Sequence, residues 1–447
     1  MKQSRYNIWA EAEDGGSYLF NGISGGLKHL SSHEREAVEA FTTGAYVDCS
    51  AKLLEGLVRG RMLIPDDANE LKMLSDQYNR SRYDTSHFGV TLVTSLGCNF
   101  DCPYCFEAKH PSIMDDEVQD AILTLLDDQL PKISSFAVNW FGGEPLVGKK
   151  PLLALSDRFI EKCDAAGVEY SAQMTTNGYL LTEPTCIELK ERRVSSVQVG
   201  LDGPADVHDR MRPLADGRGS FTKIMENLHH AVERFSVHVR VNISAENFDR
   251  VEQLFIALTA EGFAGKLSVY PGQLVGVHNV TAPSSTYHGC FGHRQFALAE
   301  QRFIDLAIQH GLASATLPEA TTTPCTAVRS NELVIGSKGE LYKCWESVGA
   351  TSDVIGNIRN YRELNGRMER WLKYDPFQNQ ECRDCVALPV CMGGCAHHGM
   401  SALHYENRCH TFRHTYEEQI VKYARAAASG FVPLQSVSSR RMTMDTR

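Results

Sequence analysis

Between residues 91 and 270, short apolar runs alternate with longer amphipathic stretches. The runs predict strands at 91–95, 136–140, 169–174, 194–201, 237–243 and 266–270. The stretches repeat apolar residues at helical spacing and predict helices near 116–130, 151–164, 183–192, 222–234 and 247–261, with another at 296–310. Six strand–helix units imply a parallel sheet, doubly wound or barrel-like. The unusual residues fall just after strands: CNFDCPYC from 98, GGEP at 142–145, TTNG at 175–178 and LDGP at 201–204. In a β/α barrel the C-terminal strand ends build the active site, so four motifs on one rim point to chemistry rather than packing.

The pattern differs on either side. Residues 1–80 are expected to form a small separate α+β unit. SYLFNGISGGL (17–27) predicts a hairpin turning at Asn21-Gly22. HEREAVEAF and AKLLEGLVRGRML predict two short helices, the second burying Leu53, Leu54, Leu57 and Val58 and stopping at Gly60. From 320 to 430, cysteines, glycines and short irregular pieces replace the alternation, until a final helix near 415–428. Residues 434–447 read as a flexible tail.

Composition narrows the class. The 447 residues are 43% apolar and 22% charged, as in a globular protein. A net charge of −10 argues against a general nucleic-acid partner. No apolar run is long enough to span a bilayer, and the N-terminus has no signal-peptide core, so a cytoplasmic protein without a membrane partner is expected. In a reducing compartment, 14 cysteines favour metal or redox use over disulfides. They cluster in 98–105 and 325–409, while Cys49, Cys163 and Cys186 scatter as core thiols do.

Cys98, Cys102 and Cys105 have the spacing C-x3-C-x2-C. A cubane cluster has four irons, so three thiolates leave one iron free for a substrate or cofactor. A zinc ion completed by a distant His or Cys is the alternative. Downstream, Cys325, Cys344, Cys382, Cys385, Cys391, Cys395 and Cys409 supply seven more thiols, enough for two zinc ions or two clusters with one position open.

The first stretch, with the motifs after it, resembles the signature of the radical S-adenosylmethionine (SAM) superfamily over about 89–290. The resemblance implies a partial (β/α)6 barrel of the TIM type over 89–310, with Cys98, Cys102 and Cys105 on a 4Fe–4S cluster whose open iron SAM chelates. It implies that Tyr104 packs by the adenine and that Gly142, Gly143, Glu144 and Pro145 meet the SAM amino group. Thr175, Thr176 and Asn177 match a motif near the ribose, and Arg210 or Arg212 pairs with the SAM carboxylate. Asp202 reads as a turn cap.

The C-terminal pattern resembles the SPASM domain of enzymes that mature peptides and proteins. Carried over, Cys382, Cys385, Cys391 and Cys409 hold an outer auxiliary cluster, and Cys325, Cys344 and Cys395 an inner one. Cys290 is a candidate fourth ligand of the inner cluster, which otherwise stays open to a substrate thiolate. His397 and His398 are read as surface or supporting residues, not ligands. Residues 1–80 loosely resemble the small winged-helix-like recognition domain fused to many such maturases, and their hairpin edge would take a leader peptide as an added strand.

The expectation is therefore an enzyme with three 4Fe–4S clusters and SAM, partnered by a precursor peptide and a flavodoxin- or ferredoxin-type electron donor. It abstracts hydrogen from the peptide and closes a thioether, or a carbon–carbon or carbon–oxygen cross-link. Two alternatives are a sulfatase-maturing enzyme making formylglycine and a non-catalytic zinc-binding scaffold.

Overall fold

Six strands of the chain carry one apolar face under helices and one more polar face inward. The computed structural model describes residues 1–43, 50–107, 109–276 and 287–428. The 434–447 tail and Cys49 lie outside the described residues. The N-terminal strands are β1 (Lys2–Gln3), β2 (Asn7–Glu11), β3 (Ser17–Asn21), β4 (Leu27–Leu30) and β5 (Leu63–Ile64). The central strands are β6 (His87–Ser95), β7 (Ser135–Gly142), β8 (Glu169–Thr176), β9 (Val194–Gly200), β10 (Ser236–Ile243) and β11 (Leu267–Gln273). The C-terminal strands are β12 (Glu332–Ile335), β13 (Glu340–Tyr342) and β14 (Gly356–Asn357).

β6 to β11 lie side by side in chain order and are parallel throughout, with helices between them. This is the expected α/β partial barrel, and every predicted strand and helix from 87 to 309 is present. Alternation sets which face points inward. In β10, Val237, Val239 and Val241 are buried in the main core, while His238 and Arg240 are only partly buried. On the same inner face the Tyr270 hydroxyl of β11 bonds Gln198 of β9, across β10. Each large apolar side chain buried between sheet and helices, such as Phe136 or Phe159, contributes roughly 1.5–3 kcal/mol.

The C-terminal region does not stand apart from this sheet. β12 pairs in parallel with β6, and β13 and β14 continue antiparallel from it, making nine strands. Nor is the N-terminal unit free-standing. Its antiparallel sheet β2–β3–β4 is followed by helices Ser32–Thr43, Ala51–Arg59 and Glu70–Arg82. Tyr6, Leu74 and Tyr78 pack with Val328, Trp371, Phe377 and Leu388 of the cysteine-rich region. Ile8 and Phe20 pack with Val390, Phe412 and Ile420. The buried Arg82 donates from Nε to the Val328 carbonyl at 3.1 Å.

Two local expectations change. The turn after β3 is not a two-residue hairpin, because the Asn21 side chain organises a wider loop. Its Oδ1 accepts from the Ile23 and Ser24 amides, both at 3.1 Å, and β4 begins only at Leu27. Val58 does not join the buried face of its helix and is 43% exposed, whereas Leu53 and Leu57 are buried.

Candidate active site at the barrel rim

The cysteine loop leaves β6 and runs over the strand ends. The Cys98 sulfur accepts from the Phe100 amide at 3.4 Å and faces the Asn177 side-chain amide at 3.8 Å. Asn177 also donates to Asn99 Oδ1 at 2.7 Å, which ties the loop to the end of β8. Cys102 is buried, and Cys98 and Cys105 are partly so. Burial pushes the Cys98 and Cys105 thiols up to about 12 and raises that of Cys102. Thiols in such a place stay protonated until a metal displaces the proton.

The glycines of GGEP are required by close packing of backbones. A Cβ on Gly142, whose φ is 132°, would lie 2.3 Å from the Ser95 carbonyl oxygen. One on Gly143 would lie 2.7 Å from that of Leu96. Glu144 is fully buried and already has three donors. The Leu146 amide (3.1 Å) and Thr176 hydroxyl (2.7 Å) bond Oε1, and the Asn177 amide (2.7 Å) bonds Oε2. Its carboxylate therefore pins the ends of β7 and β8 together.

Tyr104 and Arg212 meet on the other side of the loop. The Tyr104 hydroxyl bonds Asp202 and accepts from Arg212 Nη1 at 2.9 Å. Arg212 lies 3.6 Å from Asp202, and its guanidinium fills the space that a side chain on Gly200 would take. Arg210 is exposed on its helix, so Arg212 is the arginine that the fold brings to the site. Asp202 does more than cap a turn: it is fully buried and also accepts from the Asn242 amide at 2.9 Å.

Several buried polar atoms here have no hydrogen-bond partner among the described residues. They are both carboxylate oxygens of Glu107, Asn99 Nδ2 and Arg212 Nε. Acceptors and donors left open together suit a ligand carrying both an amino group and a carboxylate, as SAM does. Glu107 was not singled out from the sequence, although it follows the last cysteine of the motif by two positions. Its carboxyl is pushed up to about 8 by burial.

The seven C-terminal cysteines fall into two sets. Cys344 is buried beside Cys325 and Cys395. Cys382 neighbours Cys385 and Cys409, and Tyr374 borders both Cys382 and Cys391. Arg413 Nη1 donates to the Cys409 sulfur at 3.3 Å, and the His410 amide donates to that of Cys391 at 3.4 Å. Cys290 lies elsewhere, on the barrel side next to Glu246. His398 is buried rather than on the surface, 3.5 Å from Glu346 and hydrogen-bonded to Cys395. Burial opposes the charge of Glu346, but its bond with His398 holds the carboxyl down at about 2. Among the described residues, no three His, Cys, Asp or Glu side chains converge on a single-ion position. A cubane binds its ligands at separate corners and needs no such convergence.

Residues 92–257 match the model of the Radical SAM superfamily. The cysteine-type anaerobic sulfatase-maturating enzyme of Clostridium novyi (strain NT) is 23% identical over 324 residues, covering 67% of this chain and 85% of that one. A solved structure of anSMEcpe with bound AdoMet superposes with a TM-score of 0.56 at 17% identity, covering 77% of this chain and 97% of that one. Streptococcus suis SuiB bound to S-adenosylmethionine gives 0.51 at 13% identity, covering 90% and 97%. Among the described residues no helix is long and apolar enough to cross a membrane. A radical SAM domain implies a 4Fe–4S cluster and SAM, and the open donors and acceptors on the rim fit them. The match over 92–257, the cysteine loop and the six-stranded partial barrel together identify a radical SAM domain in this chain, and its relatives are enzymes that mature peptides or proteins.

Proposed function

We propose that this enzyme matures a ribosomally made precursor peptide by closing an intrapeptide thioether, or a carbon–carbon or carbon–oxygen link. The observation that carries this reading is where the inner thiol set stands. Trp345, next to Cys344, meets Phe141 near the end of β7 with ring centroids 6.4 Å apart. Glu346, the next residue, feels the charge of Arg240 on the inner face of β10. A peptide residue held inside the barrel then lies between the three-cysteine loop and the Cys325–Cys344–Cys395 set.

When bound, SAM and its cluster supply a deoxyadenosyl radical able to take a hydrogen atom from an unactivated carbon. The chain's own residues orient that chemistry: Glu144 and Asn177 hold the strand ends, while Tyr104, Asp202 and Arg212 fix the loop. Thioether closure removes one hydrogen atom from carbon and one proton and one electron from the cysteine thiol. That electron needs an acceptor. We assign the two C-terminal thiol sets to two further 4Fe–4S clusters, three in all, for that purpose.

The N-terminal sheet is read as the site for the leader peptide. Leu19 and Leu30 are covered by Val38, Leu53 and Leu57, and Ile8 and Phe20 by Phe412 and Ile420. Both faces are covered and the C-terminal helix Phe412–Ala428 packs on β2, so the outer edge of β4, which among the described residues pairs with β3 alone, is the edge we assign to an added strand. An open groove beside Cys98, rimmed by the 59% exposed Ile113 and by Val147, is assigned to the flavodoxin- or ferredoxin-type donor.

Two measurements test this. Incubation of the reconstituted enzyme with SAM, a reductant and its precursor peptide should give a product lighter by two hydrogens. An unchanged mass would defeat the reading. Leader peptide alone should slow amide exchange at 27–30, and protection only elsewhere would remove the docking edge. The sulfatase-maturating relative favours a second reading, oxidation of Cys or Ser to formylglycine, and a sulfatase-motif peptide distinguishes it. The radical SAM domain and its catalytic relatives count against the zinc-scaffold alternative.

A further inference from the structure

Two arginines stand against the outer thiol set, Cys382, Cys385, Cys391 and Cys409, and neither has a part in the barrel site. Arg413 Nη1 donates to the Cys409 sulfur at 3.3 Å, and no carboxylate of the described residues pairs with that guanidinium. Arg408, next to Cys409 in the chain, is 3% exposed and borders the Cys382 thiol. Its Nη1 donates to the Tyr405 carbonyl at 2.9 Å and its Nη2 bonds Glu381. Its Nε is buried and has no hydrogen-bond partner among the described residues. The backbone is built around this residue. A Cβ on Gly394 would collide with the Arg408 carbonyl oxygen, and that oxygen accepts from the Cys395 amide at 2.9 Å. The buried guanidinium is thus carried where the outer set abuts the inner one. A buried cation with an open donor is costly unless an anion reaches it.

We propose that Arg408 and Arg413 hold up the reduction potential of the outer cluster, so that it collects the electron released by thioether closure. The inference rests on reading these four thiols as a 4Fe–4S site. Four thiolates give such a cluster a net negative charge, and reduction adds one more. Burial alone opposes that extra charge. Guanidiniums and N–H bonds to sulfur favour it, and they act more strongly on the reduced state because its charge is larger. Glu381 offsets part of the charge of Arg408, whereas Arg413 has no such partner. The redox balance is one electron: closure of the link oxidises the substrate by one electron beyond the hydrogen atom already taken, and the outer cluster is reduced by one.

The test is a redox titration of the reconstituted holoenzyme followed by electron paramagnetic resonance. Cys382→Ser first identifies the outer signal as the one lost together with about four irons. Retention of all iron and all signals by this variant would overturn the cluster reading, and the proposal with it. Arg413→Gln should then keep its iron and lower the midpoint of the outer signal. The expected fall in the equilibrium constant for reduction is about tenfold, or about 59 mV for one electron. The other signals should stay in place. Arg408→Gln should move the same signal in the same direction. Arg413→Lys, which keeps the charge without the planar fork, should recover part of the shift. An unmoved midpoint in Arg413→Gln would overturn the proposal. So would an equal shift of every signal, or loss of the outer iron from both glutamine variants, which would make the arginines anchors of the set.

Discussion

Arg212 donates from Nη1 to the Tyr104 hydroxyl at 2.9 Å. This one bond joins the aromatic of the cysteine loop to the segment after β9, across 108 positions of sequence. The fully buried Asp202 completes the group, so the guanidinium is both a packing element and a counter-charge.

Removing Arg212 should therefore cost far more than removing Arg210, which is exposed. Arg212→Ala leaves the Asp202 carboxylate without its cation, and loss of one member of a buried pair costs about 3–5 kcal/mol. Arg210→Ala should stay within about 0.5 kcal/mol of wild type. Urea denaturation of the two variants measures this, and equal midpoints would show that the Arg212 group adds no stability.

The grouping of the C-terminal cysteines predicts how iron is lost. Cys395→Ser should lose about four irons per chain and the same electron paramagnetic resonance signal as Cys325→Ser and Cys344→Ser. Cys391→Ser should share a different loss with Cys382→Ser. Matching spectra for Cys395→Ser and Cys391→Ser would dissolve the two-set arrangement.

The buried thiols predict a pH dependence confined to the iron-free protein. Burial lifts Cys98 and Cys105 from an ordinary 9.0 to about 12. Between those values the unfolded chain has released protons that the folded chain still holds. The unfolded state then binds fewer protons, so stability falls as pH rises from about 9 toward 12. Iron-bound thiolates have no proton to lose, so the reconstituted enzyme should not show this decline. Urea midpoints across that range for both forms measure the difference, and parallel curves would contradict it.

The sequence made the barrel legible because its signals are local. Val237, Val239 and Val241 alternate with polar neighbours, and each helix carries its own stripe. The motifs were legible because they follow strands. What escaped depended on distant contacts. Residues 1–80 read as a separate unit because the partners of Tyr6 and Tyr78, Trp371 and Phe377, come from a distant segment. β12 is only four residues long and gains its place by pairing with β6, some 240 positions earlier. Asp202 resembled a turn residue because its partners, Tyr104 and Arg212, come from other segments. Glu107 gave one weak signal, an acidic residue beside the last cysteine, and only its burial without a partner gave that signal meaning.

The central claim is that Cys98, Cys102 and Cys105 hold the metal centre at which SAM is cleaved. The direct measurement is 5′-deoxyadenosine released by the reconstituted enzyme under strong reductant, compared with Cys102→Ala carrying its remaining iron. The account predicts release by the first and none above background by the second. Undiminished release by Cys102→Ala would contradict it.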